Sequence, residues 1–227
     1  MISHKPASAK HRARILLVDD HPIMIQGMTQ LINDQPDMEV CGAAPDASRA
    51  LQLADSQNPD LAVVDISLKG SDGINLIKDL KDRHPDLLMM VLSLHDESLY
   101  AERALRAGAR GYVMKQALPK NVIAAMRRVL EGEICVGEKI SRRMLAQAVA
   151  PRSTPVGSPV EKLSDRELEV FRMIGHGRST KETADELRLS VKTVETYRAH
   201  IKEKLQIAGA AELIQQATLW VQREDAA

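Results

Sequence analysis

The chain has 227 residues, 44% of them hydrophobic and 27% charged, which excludes a wholly disordered protein and leaves room for two modest domains of about 100–150 residues each. Basic and acidic residues balance at 31 apiece, so bulk charge neither calls for nor excludes a polyanionic partner. Two distant cysteines, Cys41 and Cys135, exclude a disulfide framework and a zinc module. No run nears the roughly 18 apolar residues that cross a bilayer, so we expect an intracellular, cytoplasmic protein without membrane contact.

Residues 1–12 form a short charged tail, carrying Lys5, Lys10 and Arg12, expected to be disordered and solvated. From Ile15 to about Leu130, apolar runs of strand length recur at 15–18, 38–44, 61–64, 87–92 and 111–114. Continuous apolar runs indicate strands buried on both faces, as in a parallel sheet. Helical spacing lies between them, for instance at 47–56, 73–83, 97–107 and 119–131, the last opening on a proline suited to a first turn. Five β–α units predict a doubly wound α/β domain with a five-stranded parallel sheet over 13–131. Residues 137–150 predict one more helix. The stretch 151–160, PRSTPVGSPV, holds three prolines among small polar residues, the composition of a linker, so 132–160 is assigned to helix plus linker. After it no strand pattern remains, and 161–227 predict a small all-helical domain.

Reactive groups cluster at the ends of the apolar runs. Asp19 and Asp20 follow Val18, Asp65 follows Val64, Ser93 follows Leu92, and Lys115 follows Met114. In an open parallel sheet the carboxyl ends of the strands line one crevice, so these residues are expected to converge. Three carboxylates against one ammonium is costly unless a cation or proton joins them, and a few oxygen ligands completed by water suit Mg²⁺. A phosphoryl group arriving there would meet Asp65 as a carboxylate nucleophile, with Lys115 and the metal neutralising its oxygens and Ser93 donating a hydrogen bond. The plainer alternative makes the aspartates helix N-caps and leaves Lys115 solvated.

The motifs LLVDDH, VVDISLKGSDG, VLSLHDE and GARGYVMK resemble the receiver domain of two-component response regulators, over about residues 13–131. The resemblance implies that Asp65 accepts a phosphoryl group, that Asp19 and Asp20 with Asp65 and Ser67 hold Mg²⁺, and that Lys115 and Ser93 complete the catalytic set. It also implies a switch made of Ser93 and Tyr112, the aromatic that the family turns inward on activation. Such receivers usually carry a proline where this chain has Lys69. His95, two positions past Ser93, either influences phosphoaspartate hydrolysis or is an exposed loop residue.

In the helical domain, Ser164 with Glu167 reads as a capping box, and Ser179 and Ser190 as caps of a second helix at 180–187 and a third beyond it. Three short helices joined by tight turns suggest a helix-turn-helix. On the third, Val194, Tyr197, Ile201 and Leu205 share one face, and basic residues outnumber acidic ones from Arg188 to Lys204. Such a helix suits a major groove or, more plainly, water. LSDRELEVFRMIGHG and SVKTVETYRAHIKEKL resemble the LuxR-type helix-turn-helix of NarL/FixJ response regulators. That resemblance implies DNA contacts from Lys181, Lys192, Thr193, Glu195, Thr196, Arg198, Ala199 and Lys202. Thr180, Thr183 and Tyr197 depart from the family pattern at positions expected to alter the operator read. A fourth helix near 210–221 is expected to support the core and to supply a dimer face.

Together these readings describe a transcription regulator phosphorylated on Asp65 by a sensor histidine kinase, pairing as a homodimer on a roughly two-fold symmetric operator. Its chemistry would be limited to phosphoryl uptake and self-dephosphorylation at Asp65. Two rivals stand beside it: a small-molecule phosphatase or phosphotransferase working through a phosphoaspartate, and a receiver that no longer signals by phosphate.

Overall fold

The computed structural model describes residues 12–68, 71–95, 97–149, 159–187 and 189–225. Its first half is built from β1 (Ala13–Val18), α1 (Pro22–Asn33), β2 (Met38–Ala44), α2 (Ala47–Gln57), β3 (Leu61–Val64), a small hairpin of β4 (Ser67–Leu68) and β5 (Ser71–Asp72), α3 (Gly73–Arg83), β6 (Leu88–Ser93), α4 (Glu97–Ala107), β7 (Gly111–Met114) and α5 (Pro119–Leu130). The main sheet runs β2-β1-β3-β6-β7, all parallel, the doubly wound architecture expected. The chain reverses direction across the sheet between β1 and β3, the place where this topology opens a ligand crevice.

Period-two alternation within each strand separates two cores. Leu16, Val18, Val64 and Val91 face α2, α3 and α4, while Ile15, Leu17, Val63, Met90 and Leu92 face α1 and α5. The central strand β3 is therefore apolar throughout and buried on both faces, with helices on either side of the sheet. The predicted fourth strand shifts by one residue and takes in Ser93, which is fully buried. The β4–β5 hairpin, two residues per strand, lay below any periodicity.

Asp72 caps α3 by accepting from the Ile74 N–H at 2.8 Å, which leaves Gly73 against the Asp65 loop. A Cβ on Gly73 would stand 2.1 Å from the Asp65 carbonyl oxygen and 2.7 Å from Ile66 Cα. These are backbone atoms and cannot yield as a flexible side chain would. Gly73→Ala is therefore expected to destabilise the protein by about 1–3 kcal/mol or more, whereas Gly27→Ala, in open space on α1, should be neutral or stabilising by up to about 1 kcal/mol. Urea unfolding of the pair measures both.

After α5 the chain returns along the open edge of β7. Tyr112 N–H donates to Cys135 O at 2.8 Å, and Cys135 N–H to Arg110 O at 2.8 Å. Helix α6 (Glu138–Val149) then packs on α4 through the buried Ile140. The predicted linker lies mostly outside the described residues, as do Lys69 and residues 1–11 of the tail; Arg12 is described and is not simply solvated, because its guanidinium donates to the Gln35 carbonyl at 2.9 Å and to the Met38 carbonyl. Its last two positions instead open a 3₁₀ turn, Pro159–Lys162, whose Val160 is buried.

The second half holds α7 (Asp165–Gly175), α8 (Thr180–Leu187), α9 (Val191–Leu205) and α10 (Ala210–Asp225). The capping box closes reciprocally, with Ser164 N–H donating to Glu167 Oε2 at 2.7 Å and Glu167 N–H to Ser164 Oγ at 3.4 Å. Ser179 and Ser190 cap α8 and α9. Phe171, Ile174, Val194, Ile201, Leu213 and Ala217 make the core, with the Phe171 and Trp220 rings 5.6 Å apart. Helix α10 extends four residues past its predicted end.

Candidate functional site

The strand ends converge as expected. Lys115 Nζ, at the end of β7, lies 2.6 Å from Asp19 Oδ2 and 2.9 Å from Asp65 Oδ2, all three side chains being buried. The plainer alternative fails on the caps: α1 begins at His21 without a side-chain cap, and Asp72 caps α3. Asp19, Asp20 and Asp65 are thus placed at the crevice and cap no helix.

Burial raises the pKa of Asp65, and the Lys115 ammonium opposes that rise. Burial would lower Lys115 in turn, but its hydrogen bonds to Asp19 and Asp65 outweigh it and hold the ammonium above its usual range. The two groups stabilise each other's charged form at a site that otherwise disfavours charge.

Ligand atoms of Asp19, Asp20, His21 and Asp65 all lie within 4.8 Å of one another. Three carboxylates gathered there against the single Lys115 ammonium fit a hard divalent cation. His21 escaped the sequence reading: its N–H donates to Asp19 Oδ1 at 2.9 Å and its Nδ1 sits 2.9 Å from Asp20 Oδ1. The signal available was the histidine directly after the Asp pair. The Ser67 hydroxyl bonds His95 Nε2.

Ser93 Oγ accepts from the His95 N–H at 3.3 Å. Tyr112 already points inward, 2% exposed, its phenol donating to His95 O at 2.8 Å. His95 itself is buried, not the exposed loop histidine that was one of its two readings, because Arg172 of α7 sits on it.

On α9 the expected faces are observed. Val194 and Ile201 are buried and Tyr197 and Leu205 half-buried, while Lys192, Glu195, Thr196 and Ala199 are exposed and Thr193, Arg198 and Lys202 partly so; Lys181 heads α8 in the open. Two details differ from expectation. Lys204 pairs with the buried Glu167 at 2.6 Å and braces α9 against α7, which removes one cation from the free face. Thr183 is 1% exposed and donates to Ser179 O, so it packs and cannot read an operator. Arg188 lies outside the described residues.

The two halves touch. Asp165 bridges Lys78 at 2.8 Å and Arg103 at 3.0 Å, and Arg143 pairs with Glu161. Between them lies a cleft of about 810 Å³ lined by Asp20, Ser67 and Ser71 on one side and Glu169, Arg172 and His176 on the other. Burial, then the nearby Asp72, pushes the Glu169 carboxyl up to about 7.

Comparison with known proteins places these features. The family described as "Response regulator receiver domain" matches residues 15–127, and "Bacterial regulatory proteins, luxR family" matches 161–217. The oxygen regulatory protein NreC of Staphylococcus carnosus is 33% identical over 208 residues, 90% of this chain and 96% of NreC. Among solved structures, a LuxR-family two-component response regulator from Aurantimonas sp. SI85-9A1 is 32% identical with a TM-score of 0.57, covering 61% of this chain and 99% of that one. RcsB from Salmonella enterica serovar Typhimurium, bound to promoter P1flhDC with the phosphomimetic BeF3-, shares the fold at TM-score 0.64 and 24% identity, covering 91% of this chain and 98% of RcsB.

Proposed function

The chain belongs to the NarL/FixJ-type response regulators of two-component systems, and on that premise we propose that phosphorylation of Asp65 controls binding of α9 to DNA. The reading is carried by one observation: Asp65 is a buried carboxylate at the end of a central strand with the Lys115 ammonium 2.9 Å away. A sensor histidine kinase is the donor. Asp65 attacks the phosphorus, the N–P bond breaks, and the departing imidazole takes up a proton, leaving an acyl phosphate on Asp65. Lys115 holds the transferred oxygens, and Ser93 donates its hydroxyl to one of them. Asp19, Asp20 and Asp65, with Ser67 as the fourth member of the set, would hold Mg²⁺, which supplies charge neutralisation when bound. Water returns Asp65 to the carboxylate and releases inorganic phosphate, and no other substrate is turned over.

Receiver 13–131, connecting segment 132–160 and DNA-binding domain 161–227 are the working units. Lys192, Arg198 and Lys202, with Lys181 from α8, reach phosphates, while Thr193, Glu195, Thr196 and Ala199 face base edges. Two copies of α9 then read half-sites related by two-fold symmetry, so the active form is a homodimer on DNA. We place the protein in the cytoplasm, where its free cysteines stay reduced; among the described residues no helix is long and apolar enough to cross a membrane. The rival phosphatase reading expects a second acid two positions after the acceptor; Ser67 stands there, its hydroxyl held by His95.

Sedimentation of the full chain with Mg²⁺, before and after beryllofluoride, tests this directly. The expected result is a shift from monomer to dimer that Asp65→Asn abolishes. An identical response in the variant would remove Asp65 from the mechanism.

A further inference from the structure

One contact between the two halves is made by a side chain in the loop after β6. His95 Nε2 is 2.8 Å from Arg172 Nη1 and is also bonded to Ser67 Oγ, and its ring lies on Tyr100 with centroids 4.9 Å apart. Its backbone is engaged as well: the N–H donates to Ser93 Oγ and the carbonyl accepts from the Tyr112 phenol. His95 therefore touches the loop that follows Asp65, the serine at the end of β6, the tyrosine of β7 and the first helix of the helical half.

The polarity of the outer contact is fixed. With the Arg172 guanidinium 2.8 Å away, His95 Nε2 must be the unprotonated ring nitrogen and accepts. A guanidinium can only donate. Around this point the ion pairs of Asp165 with Lys78 and Arg103 seat the start of α7 on α3 and α4, and Arg103 also donates to the Val160 and Glu161 carbonyls. The outward residues of α9 stay exposed or partly exposed in this arrangement. What the contacts hold is the seat of the helical half, with the reading face of α9 left uncovered.

We propose that His95 and Arg172 form a latch through which the helical half senses the phosphorylation state of Asp65. With α7 seated, the 93–95 backbone is held with the Ser93 hydroxyl on the His95 N–H. Drawing Ser93 toward a phosphoryl group on Asp65 displaces His95 and releases Arg172. This rests on Asp65 being the acceptor and Ser93 its switch hydroxyl, as proposed above. Coupling between two sites is reciprocal, so releasing Arg172 must make Asp65 easier to phosphorylate.

The test uses the full chain and two readouts: the rate of Asp65 labelling by acetyl phosphate with Mg²⁺, and hydrogen exchange of the α7 amides with and without beryllofluoride. Arg172→Ala is expected to label about 5-fold faster or more, and its α7 to exchange, without beryllofluoride, as fast as that of the treated wild type. His95→Ala should do the same, and the double variant should be no faster than either single one. Arg172→Lys keeps a donor and should label within about 2-fold of wild type, which also covers the case in which Arg172→Ala does not fold. Wild-type labelling rates in Arg172→Ala, additive effects in the double variant, or a lysine variant as fast as the alanine one would each overturn the latch. A wild-type protein that takes no label at Asp65 would instead overturn the reading on which the latch rests.

Discussion

Asp65→Asn protein is expected to take no phosphoryl group from acetyl phosphate under conditions that label the wild type stoichiometrically, a loss of ~10³-fold or more. The amide keeps the volume of the carboxylate but lacks the nucleophilic oxygen. Folding should barely change. Burial already disfavours the Asp65 charge, so a neutral group relieves that cost, while Lys115 keeps its 2.6 Å partner Asp19. A change within about 1 kcal/mol in urea unfolding, together with the lost label, separates chemistry from stability. Residual label on another residue of the variant would show that the acceptor is elsewhere.

Lys115→Met should act in the opposite sense, on stability more than on a single bond. It leaves Asp19 and Asp65 buried without the ammonium that lies between them, and removing one partner of a buried pair costs about 3–5 kcal/mol. The pH dependence follows from the direction of the Asp65 shift. Its folded pKa is raised above the unfolded value, and losing Lys115 removes the interactions that held it down. A carboxyl of that kind favours folding below its unfolded pKa, and the benefit is lost as pH rises through the folded pKa. The gap between wild type and Lys115→Met should therefore be widest at pH 8 and shrink as pH falls toward 5. Mg²⁺ should shrink it too, because the carboxylate cluster without Lys115 is one positive charge poorer, binds the cation more tightly than the wild type does, and so gains more stability by mass action. Unfolding curves at the two pH values, with and without Mg²⁺, measure this. A gap indifferent to both would mean that the three carboxylates do not form one charge cluster.

Much of this site is legible in the sequence. An apolar strand followed by Asp, Ser or Lys places that group at a carboxyl end, and parallel topology brings such ends together; Asp19, Asp20, Asp65, Ser93 and Lys115 were found in this way. The faces of α9 followed from spacings of three and four. What escaped was non-local or too short to leave a period. His95 and Arg172 are 77 positions apart, and neither carries a local sign that it will be buried against the other. Lys204 counts among the basic residues of α9 in the sequence, and only the fold brings it to Glu167 of a different helix. Thr183 departs from the family pattern, but the sequence does not show that its hydroxyl turns back on Ser179 O and is satisfied inside the fold.

The most direct test of the central claim is the affinity of the full chain for duplex DNA sites selected with the beryllofluoride-treated protein, measured with and without beryllofluoride, for wild type and Asp65→Asn. The account predicts binding that tightens at least about 10-fold on treatment of the wild type, equivalent to roughly 1.4 kcal/mol, and no change in the variant. Equal affinity in all four conditions would contradict it, and would mean that α9 binds DNA without reference to Asp65.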